Sequence, residues 1–231
     1  IVATSAVRDA LNGLEFAQQI EYKTGHTVDI LDGSEEARLI GRGITTDPQL
    51  STLKNFLQID LGGGSLEIIH FQNHRIDKAI SLQLGAVRLS ERFITDFEAP
   101  LNEATTEAIQ NHVRETLKKI TISLQPNQPI VATGGAVIIT RAILAAQADI
   151  EIEERSPVIT LSEIAQLRKQ LAALYLHQRM AIPHLPAARA DILPAALLTI
   201  ETALQTADAK QLTHSFRNLR YGIAAELLQA V

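Results

Sequence analysis

The stretch Phe56-Leu57-Gln58-Ile59-Asp60-Leu61-Gly62-Gly63-Gly64-Ser65-Leu66-Glu67-Ile68-Ile69-His70 decides how this sequence reads. An apolar run ends on the acid Asp60, three glycines and Ser65 follow, and a second β-rich run carries Glu67. The pattern predicts a strand, a tight turn and a returning strand. Three glycines strip the bend of Cβ atoms, so successive backbone N–H groups can face one concavity and reach phosphate oxygens. Asp60 and Glu67 would flank that concavity. Two carboxylates beside a phosphate repel it unless a hard cation lies between them, and oxygen ligands combined with phosphate suit Mg²⁺. These residues alone leave two readings open: a Mg²⁺-assisted phosphate site, or a glycine-rich hairpin with solvated acids at its rim.

Composition narrows the classes. At 231 residues and 46% hydrophobic content, the chain can bury a core and form one large or two modest domains. A net charge of −5 argues against broad binding to nucleic acid or to an anionic membrane, and no apolar run is long enough to span a bilayer. Without cysteine there are no disulfides and no thiolate metal sites. With no targeting signal visible, the cytoplasm is the expected location. The only methionine is Met180 and the chain opens at Ile1, so it is expected to be part of a longer protein.

Working outward from the hairpin, Ile1 to Thr4 predicts a strand feeding a helix from about Ser5 to Tyr22, with Val7, Leu11, Leu14 and Ala17 on one face. Arg8 and Asn12 would share a face near its start, where an arginine fork can meet an anion; the plainer option is an Arg8 bonded to Asp9 or a nearby carbonyl. Val28 to Leu31 predicts a strand, and Gly33 to Arg38 a short helix capped by Ser34, from which at most one of Glu35 and Glu36 faces a cleft. Residues 45–52 have the composition of a connector, and Arg75 to Leu84 reads as a third strand followed by a helix with Arg88 and Arg92, solvated by default. Asn102 to Leu124 reads as a long amphipathic helix. Then Pro129 to Gly135 repeats the first loop's logic: an apolar strand, the pair Gly134-Gly135, and a helix start from about Ala136, a cradle for phosphate or nucleotide. In the last third, Thr160 to Glu163 is a capping box, a helix is expected from about Ala187 to Thr206 with Pro194 near its first turns, and a strand and a final helix follow.

Several motifs, taken together and in order, resemble the exopolyphosphatase/guanosine pentaphosphate phosphatase (Ppx/GppA) family, whose members share the actin-like, sugar kinase and heat-shock ATPase fold. They are Ala3 to Asn12, Asp32 to Leu39, Asp60 to Glu67, Leu82 to Leu89, Ala132 to Gly135 and Arg189 to Ile192. The resemblance runs nearly end to end. It implies an α/β fold of two lobes around a cleft: residues 1–50 as part of a first lobe, with the final helix, 216–231, a candidate to pack on it, and 51–215 as a second lobe carrying the glycine loops.

It also implies roles. Glu36 would be the base that activates water, Asp60 and Glu67 would serve Mg²⁺ and the attacking water, Gly62, Gly63, Gly64 and Ser65 would cradle the terminal phosphate, and Arg8 would clamp polyphosphate. Gly134 and Gly135 correspond to the loop that faces nucleotide in the related kinases. The implied activity is Mg²⁺-dependent release of orthophosphate from polyphosphate or guanosine pentaphosphate. The alternatives are a polyphosphate:ADP phosphotransferase and a non-catalytic binder of polyphosphate or guanosine tetraphosphate. No nucleic-acid or membrane partner is expected, and a homodimer is left open. Three departures stand out: Leu66 replaces a usual threonine beside the phosphate loop, Pro194-Ala195-Ala196 replaces a common glycine, and the family's opening hairpin with its own phosphate loop does not precede Ile1.

Overall fold

A computed structural model describes residues 1–120, 122 and 128–229. In chain order its elements are β1 (Val2–Ala3), α1 (Ser5–Arg8), α2 (Gly13–Thr24), β2 (Asp29–Ile30), α3 (Gly33–Ile44), β3 (Phe56–Leu61), β4 (Leu66–Gln72), β5 (Arg75–Leu82), α4 (Ala86–Phe93), α5 (Glu103–Leu117), β6 (Ile130–Thr133), α6 (Gly135–Gln147), β7 (Val158–Thr160), α7 (Leu161–Ala172), α8 (Leu176–Met180), α9 (Leu193–Thr206), β8 (Gln211–His214) and α10 (Leu219–Gln229). Parallel β1 and β2 form a small sheet, and the other six strands form a mixed sheet in the order β5-β4-β3-β6-β8-β7. No described helix is long and apolar enough to cross a membrane.

Strand β3 is buried along its whole length because it lies inside the sheet, with antiparallel β4 on one side and parallel β6 on the other. Its side chains alternate between two different interiors. Leu57, Ile59 and Leu61 enter the larger core with Leu66 and Ile68 of β4 and the apolar side of α9. Phe56 faces the other way, stacking on Phe71 with ring centroids 4.3 Å apart, and joins Ile69 and Val131 beneath Ala37, Ile40 and Ile44 of α3. Helix α3 therefore lies across the second face of the sheet, and α10 packs on α3 in turn.

Several elements differ from the sequence reading, each for a physical reason. The single helix expected over 5–22 is two helices, because the chain turns at Asp9, whose carboxylate bonds Arg88 on α4; Leu11 and Leu14 are consequently exposed. Helix α3 runs on to Ile44, and its cap is Asp32, which accepts from the Glu35 N–H at 2.8 Å, not Ser34. The connector 45–52 contains a 3₁₀ turn at Pro48–Leu50. The third strand stops at Leu82. Helix α5 ends at Leu117; of the span expected to continue to Leu124, residues 121 and 123–124 lie outside the described residues. The helix expected from Ala187 is a 3₁₀ turn at Ala187–Arg189 followed by α9, which puts Pro194 in a first turn where its missing N–H costs nothing. Buried Arg179 supports that turn, donating to the carbonyls of Ala190, Phe97, Ala99 and Leu174.

Candidate active site

Strand register builds the centre of the site. Asp60 lies opposite Glu67 in the β3–β4 pair, Glu67 opposite Ser81 in β4–β5, and Asp60 beside Thr133 in β3–β6. Register neighbours share a face, so Ser81, Glu67, Asp60 and Thr133 form one polar row across four strands, at the carboxyl ends of parallel β3 and β6. It occupies the face that α3 covers. Ligands of α/β sheets characteristically bind at such strand ends. Ser81 Oγ donates to Glu67 Oε1 at 2.7 Å, and Thr133 Oγ1 to Asp60 Oδ2 at 2.5 Å. These two hydroxyls were not singled out in the sequence. They became visible only through cross-strand register.

The two acids are under electrostatic stress. Burial, with the Glu36 charge adding, pushes Asp60 up to about 6 against the opposing Thr133 hydrogen bond. Burial first, then the charges of Glu36 and Asp60, push Glu67 up to about 8, while the Ser81 and Ser65 hydroxyls pull the other way. Neither carboxylate is in an ion pair among the described residues. Like charges placed directly opposite in a sheet destabilise it, so a cation between them would relieve the row. Among the described residues no three or more His, Cys, Asp or Glu side chains are grouped to hold a metal by themselves. Two hard carboxylates, completed by phosphate oxygens and water, nevertheless match what Mg²⁺ takes. The residues present fit that ion.

Glu36 arrives from the first turns of α3, buried where its neighbour Glu35 is exposed. The helix start is held close to the row, since a Cβ on Gly33 would lie 2.8 Å from Ser81 Cβ. One oxygen of Glu36, Oε2, accepts from Arg8 Nη1 at 2.8 Å, and the same nitrogen donates to the Leu31 carbonyl at 2.8 Å. Arg8 thus sits in the last turn of α1, bonded to a carboxylate and a carbonyl; it is not at a helix start shared with Asn12.

The glycine turn is set by α4. The Gly62 carbonyl accepts from the Ala86 N–H at 3.0 Å, that of Gly63 from the N–H groups of Val87 at 2.9 Å and Arg88 at 3.2 Å, and that of Gly64 from Arg88 Nε at 2.8 Å. In a planar trans peptide the N–H points opposite to the C=O. Drawing three successive carbonyls toward α4 therefore turns the N–H groups of Gly63, Gly64 and Ser65 to the other side, where among the described residues they have no protein acceptor. Gly62 departs from the expectation: its own N–H closes the turn onto the Ser65 carbonyl at 3.0 Å. Close approach explains Gly64, since a Cβ there would meet Ser5 Oγ at 2.6 Å, whereas one on Gly62 would come no nearer than 3.5 Å to another atom. Arg88 is therefore a brace of the turn and not the solvated side chain that the sequence suggested.

The second glycine loop divides. Gly134 has φ +101°, and a Cβ there would lie 2.6 Å from the Leu61 carbonyl and 3.2 Å from Asp60 Oδ1. Gly134→Ala should thus destabilise the chain by about 2 kcal/mol, read as a lowered midpoint in urea unfolding; an unchanged midpoint would contradict the left-handed backbone. Gly135 instead opens, with Gly62, Gly63 and Arg189, onto a cleft of about 100 Å³. Leu66 points into the large core, on the opposite face of the strand from Glu67, so a threonine there would turn its side chain away from the acid row.

The sequence model of the Ppx/GppA phosphatase family matches residues 1–231. The chain belongs to this family. A curated Ppx/GppA relative, the guanosine-5'-triphosphate,3'-diphosphate pyrophosphatase of Photobacterium profundum, is 26% identical over 230 residues; the match takes in 99% of this chain but 44% of the relative, so the chain spans less than half its length. Among solved structures, an exopolyphosphatase from Cytophaga hutchinsonii superposes with a TM-score of 0.85 at 28% identity, over 100% of this chain and 74% of that one. The Aquifex aeolicus Ppx/GppA family member has a TM-score of 0.78 at 24% identity, covering 99% of this chain and 74% of its own. The α/β fold anticipated from the sequence is the one that these Ppx/GppA structures share.

Proposed function

We propose that the chain is a Mg²⁺-dependent phosphoanhydride hydrolase, releasing terminal orthophosphate from inorganic polyphosphate or converting guanosine pentaphosphate to tetraphosphate. The observation that carries this reading is the meeting of Glu36, Asp60 and Glu67 with Arg8 beside three outward-facing N–H groups of the glycine turn. The names of the two relatives, a guanosine pyrophosphatase and an exopolyphosphatase, point to the same chemistry.

In this reading the N–H groups of Gly63, Gly64 and Ser65 receive oxygens of the terminal phosphate, and the Arg8 guanidinium neutralises part of its charge. Glu36 holds one oxygen on Arg8 and leaves Oε1 to accept a proton from water. The water oxygen bonds to phosphorus, the bridging P–O bond breaks, and the shortened chain leaves with the electron pair. Held by Asp60 and Glu67, Mg²⁺ would supply charge neutralisation at the phosphate oxygens. Ser81 and Thr133 keep the two carboxylates oriented.

The test is orthophosphate release by this chain from long-chain polyphosphate and from guanosine pentaphosphate, with Mg²⁺ and with chelator. Release that requires Mg²⁺ supports the hydrolase and ranks the substrates. Tight binding of either compound with no release at any Mg²⁺ concentration would instead leave a non-catalytic binder.

A further inference from the structure

Resting on the hydrolase reading above, we propose that Asp9 and Arg88 are positioning residues that tie the phosphate-binding turn to the Arg8–Glu36 pair, so that a phosphate seated on the turn is aligned with the carboxylate that handles water.

The connection is a continuous ladder of polar contacts. Arg88 uses two edges of its guanidinium: Nε donates to the Gly64 carbonyl at 2.8 Å, and Nη2 to Asp9 Oδ2 at 2.5 Å. The other Asp9 oxygen lies 3.5 Å from Arg8 Nε. Arg8 then reaches Glu36 Oε2 and the Leu31 carbonyl through Nη1. Side-chain exposure falls along the ladder, from 35% at Arg88 and 30% at Asp9 to 19% at Arg8 and 8% at Glu36. It starts at the surface and ends at the buried carboxylate.

Two features argue that this is more than a surface ion pair of small worth. Arg88 and Asp9 are 79 residues apart, and their contact joins α4, which packs against the large core, to the turn after α1, which belongs with the small sheet. The Gly64 carbonyl is also the last of three successive carbonyls drawn to α4, and the only one of them held by a side chain. Losing Arg88 would free that peptide, and with it the direction of the Ser65 N–H. Losing Asp9 would leave Arg8 held through Nη1 only, by Glu36 and the Leu31 carbonyl, with its Nε edge free. A fork is needed to serve Gly64 and Asp9 together, which a lysine ammonium does not provide.

The experiment is a double-mutant cycle on this chain with Arg88→Gln, Asp9→Asn, Arg8→Gln and the pairwise combinations. It reads kcat and KM for phosphate release from polyphosphate, tripolyphosphate affinity by calorimetry, and the thermal midpoint. Arg88→Gln should lower kcat roughly 30-fold, in keeping with small misplacement of reacting groups, with KM changed less than about threefold and the thermal midpoint changed little. Arg88→Lys should recover little of the loss. In the Arg8→Gln background the same change should lower kcat by less than about threefold, since the ladder is already cut.

Additive losses from Arg88→Gln and Arg8→Gln would overturn the proposal, as would full recovery by Arg88→Lys. If the wild-type chain binds tripolyphosphate but releases nothing, the hydrolase reading falls and the proposal, which rests on it, falls with it, whereas additive losses in an active chain overturn the proposal alone. Absence of both binding and release overturns the two together.

Discussion

Replacing Glu36 with glutamine is expected to lower phosphate release by about 10²–10⁴-fold, the usual worth of a general base, with little change in KM. Glutamine keeps the size of the side chain and an oxygen for Arg8, so the geometry at the start of α3 is preserved. What it removes is the proposed proton acceptor. Glu36 is buried against the polar row, and its second oxygen is not engaged by Arg8. Its charge also raises both Asp60 and Glu67, so the variant should hold these two acids ionised to lower pH. Orthophosphate release under saturating polyphosphate, with tripolyphosphate affinity as a control for folding and binding, checks the claim. A loss smaller than tenfold would show that water is activated elsewhere.

The second large effect is a pH-dependent stability that Mg²⁺ should reverse. The ordinary values for Asp60 and Glu67 are 3.8 and 4.5, and in the folded chain they stand at about 6 and about 8. An acid with a raised folded value binds its proton more tightly in the native state than in the unfolded chain. Its contribution to stability is complete below the unfolded value and is lost as pH rises through the folded one. His214 works in the opposite sense: burial, then the neighbouring Arg141 charge, pull it down to about 4, so it weakens the fold only as pH falls below 6.5. The clean window is therefore pH 6.5 to 9, where Glu67 dominates. Across it the metal-free chain should lose about 2–3 kcal/mol, or roughly 5–10 °C in the thermal midpoint. Added Mg²⁺ should restore most of the loss at pH 9 and do little at pH 5. Calorimetric scans in chelator and in Mg²⁺ at the three pH values decide this; a flat midpoint in chelator would mean that the acid pair is hydrated.

What was legible in the sequence was what local chemistry specifies. The β3–turn–β4 hairpin announced itself by alternation and glycine, the second loop by Gly134 ahead of a helix, and the start of α7 by Thr160 and Glu163, which form the capping box. The acids and the arginine named for the site, Glu36, Asp60, Glu67 and Arg8, lie in the same neighbourhood. What stayed hidden depends on distant residues. The break after α1 carries a contact from Arg88, far along the chain, to Asp9, and interrupts an apolar period that would otherwise read as one helix. Helix α3 runs past the expected Arg38 through Gly41 and Gly43, both poor helix formers; burial of Ile40 and Ile44 against the sheet carries it through them. Strand β7 has three residues at a sheet edge, and α8 has five, too few for any periodicity to show. Ser81 and Thr133 became site residues only because three strand pairings align them with Glu67 and Asp60.

That alignment has a consequence for how the chain avoids folding wrongly. Along β3 and β4 every second side chain belongs to the large apolar core and every other one to the face bearing the acids. Sliding β4 by one residue against its neighbours would carry Glu67 into the space of Leu66 and Ile68, and would bring those two out beneath α3. A carboxylate in that position loses the Ser81 hydroxyl that it has in the native register, and an unpartnered buried polar group costs several kcal/mol. A mispaired hairpin is thus penalised at the same residues that make the site. In this sheet the acids of the candidate site double as an error check, and a chain able to assemble its core stably has, by the same act, assembled them in order.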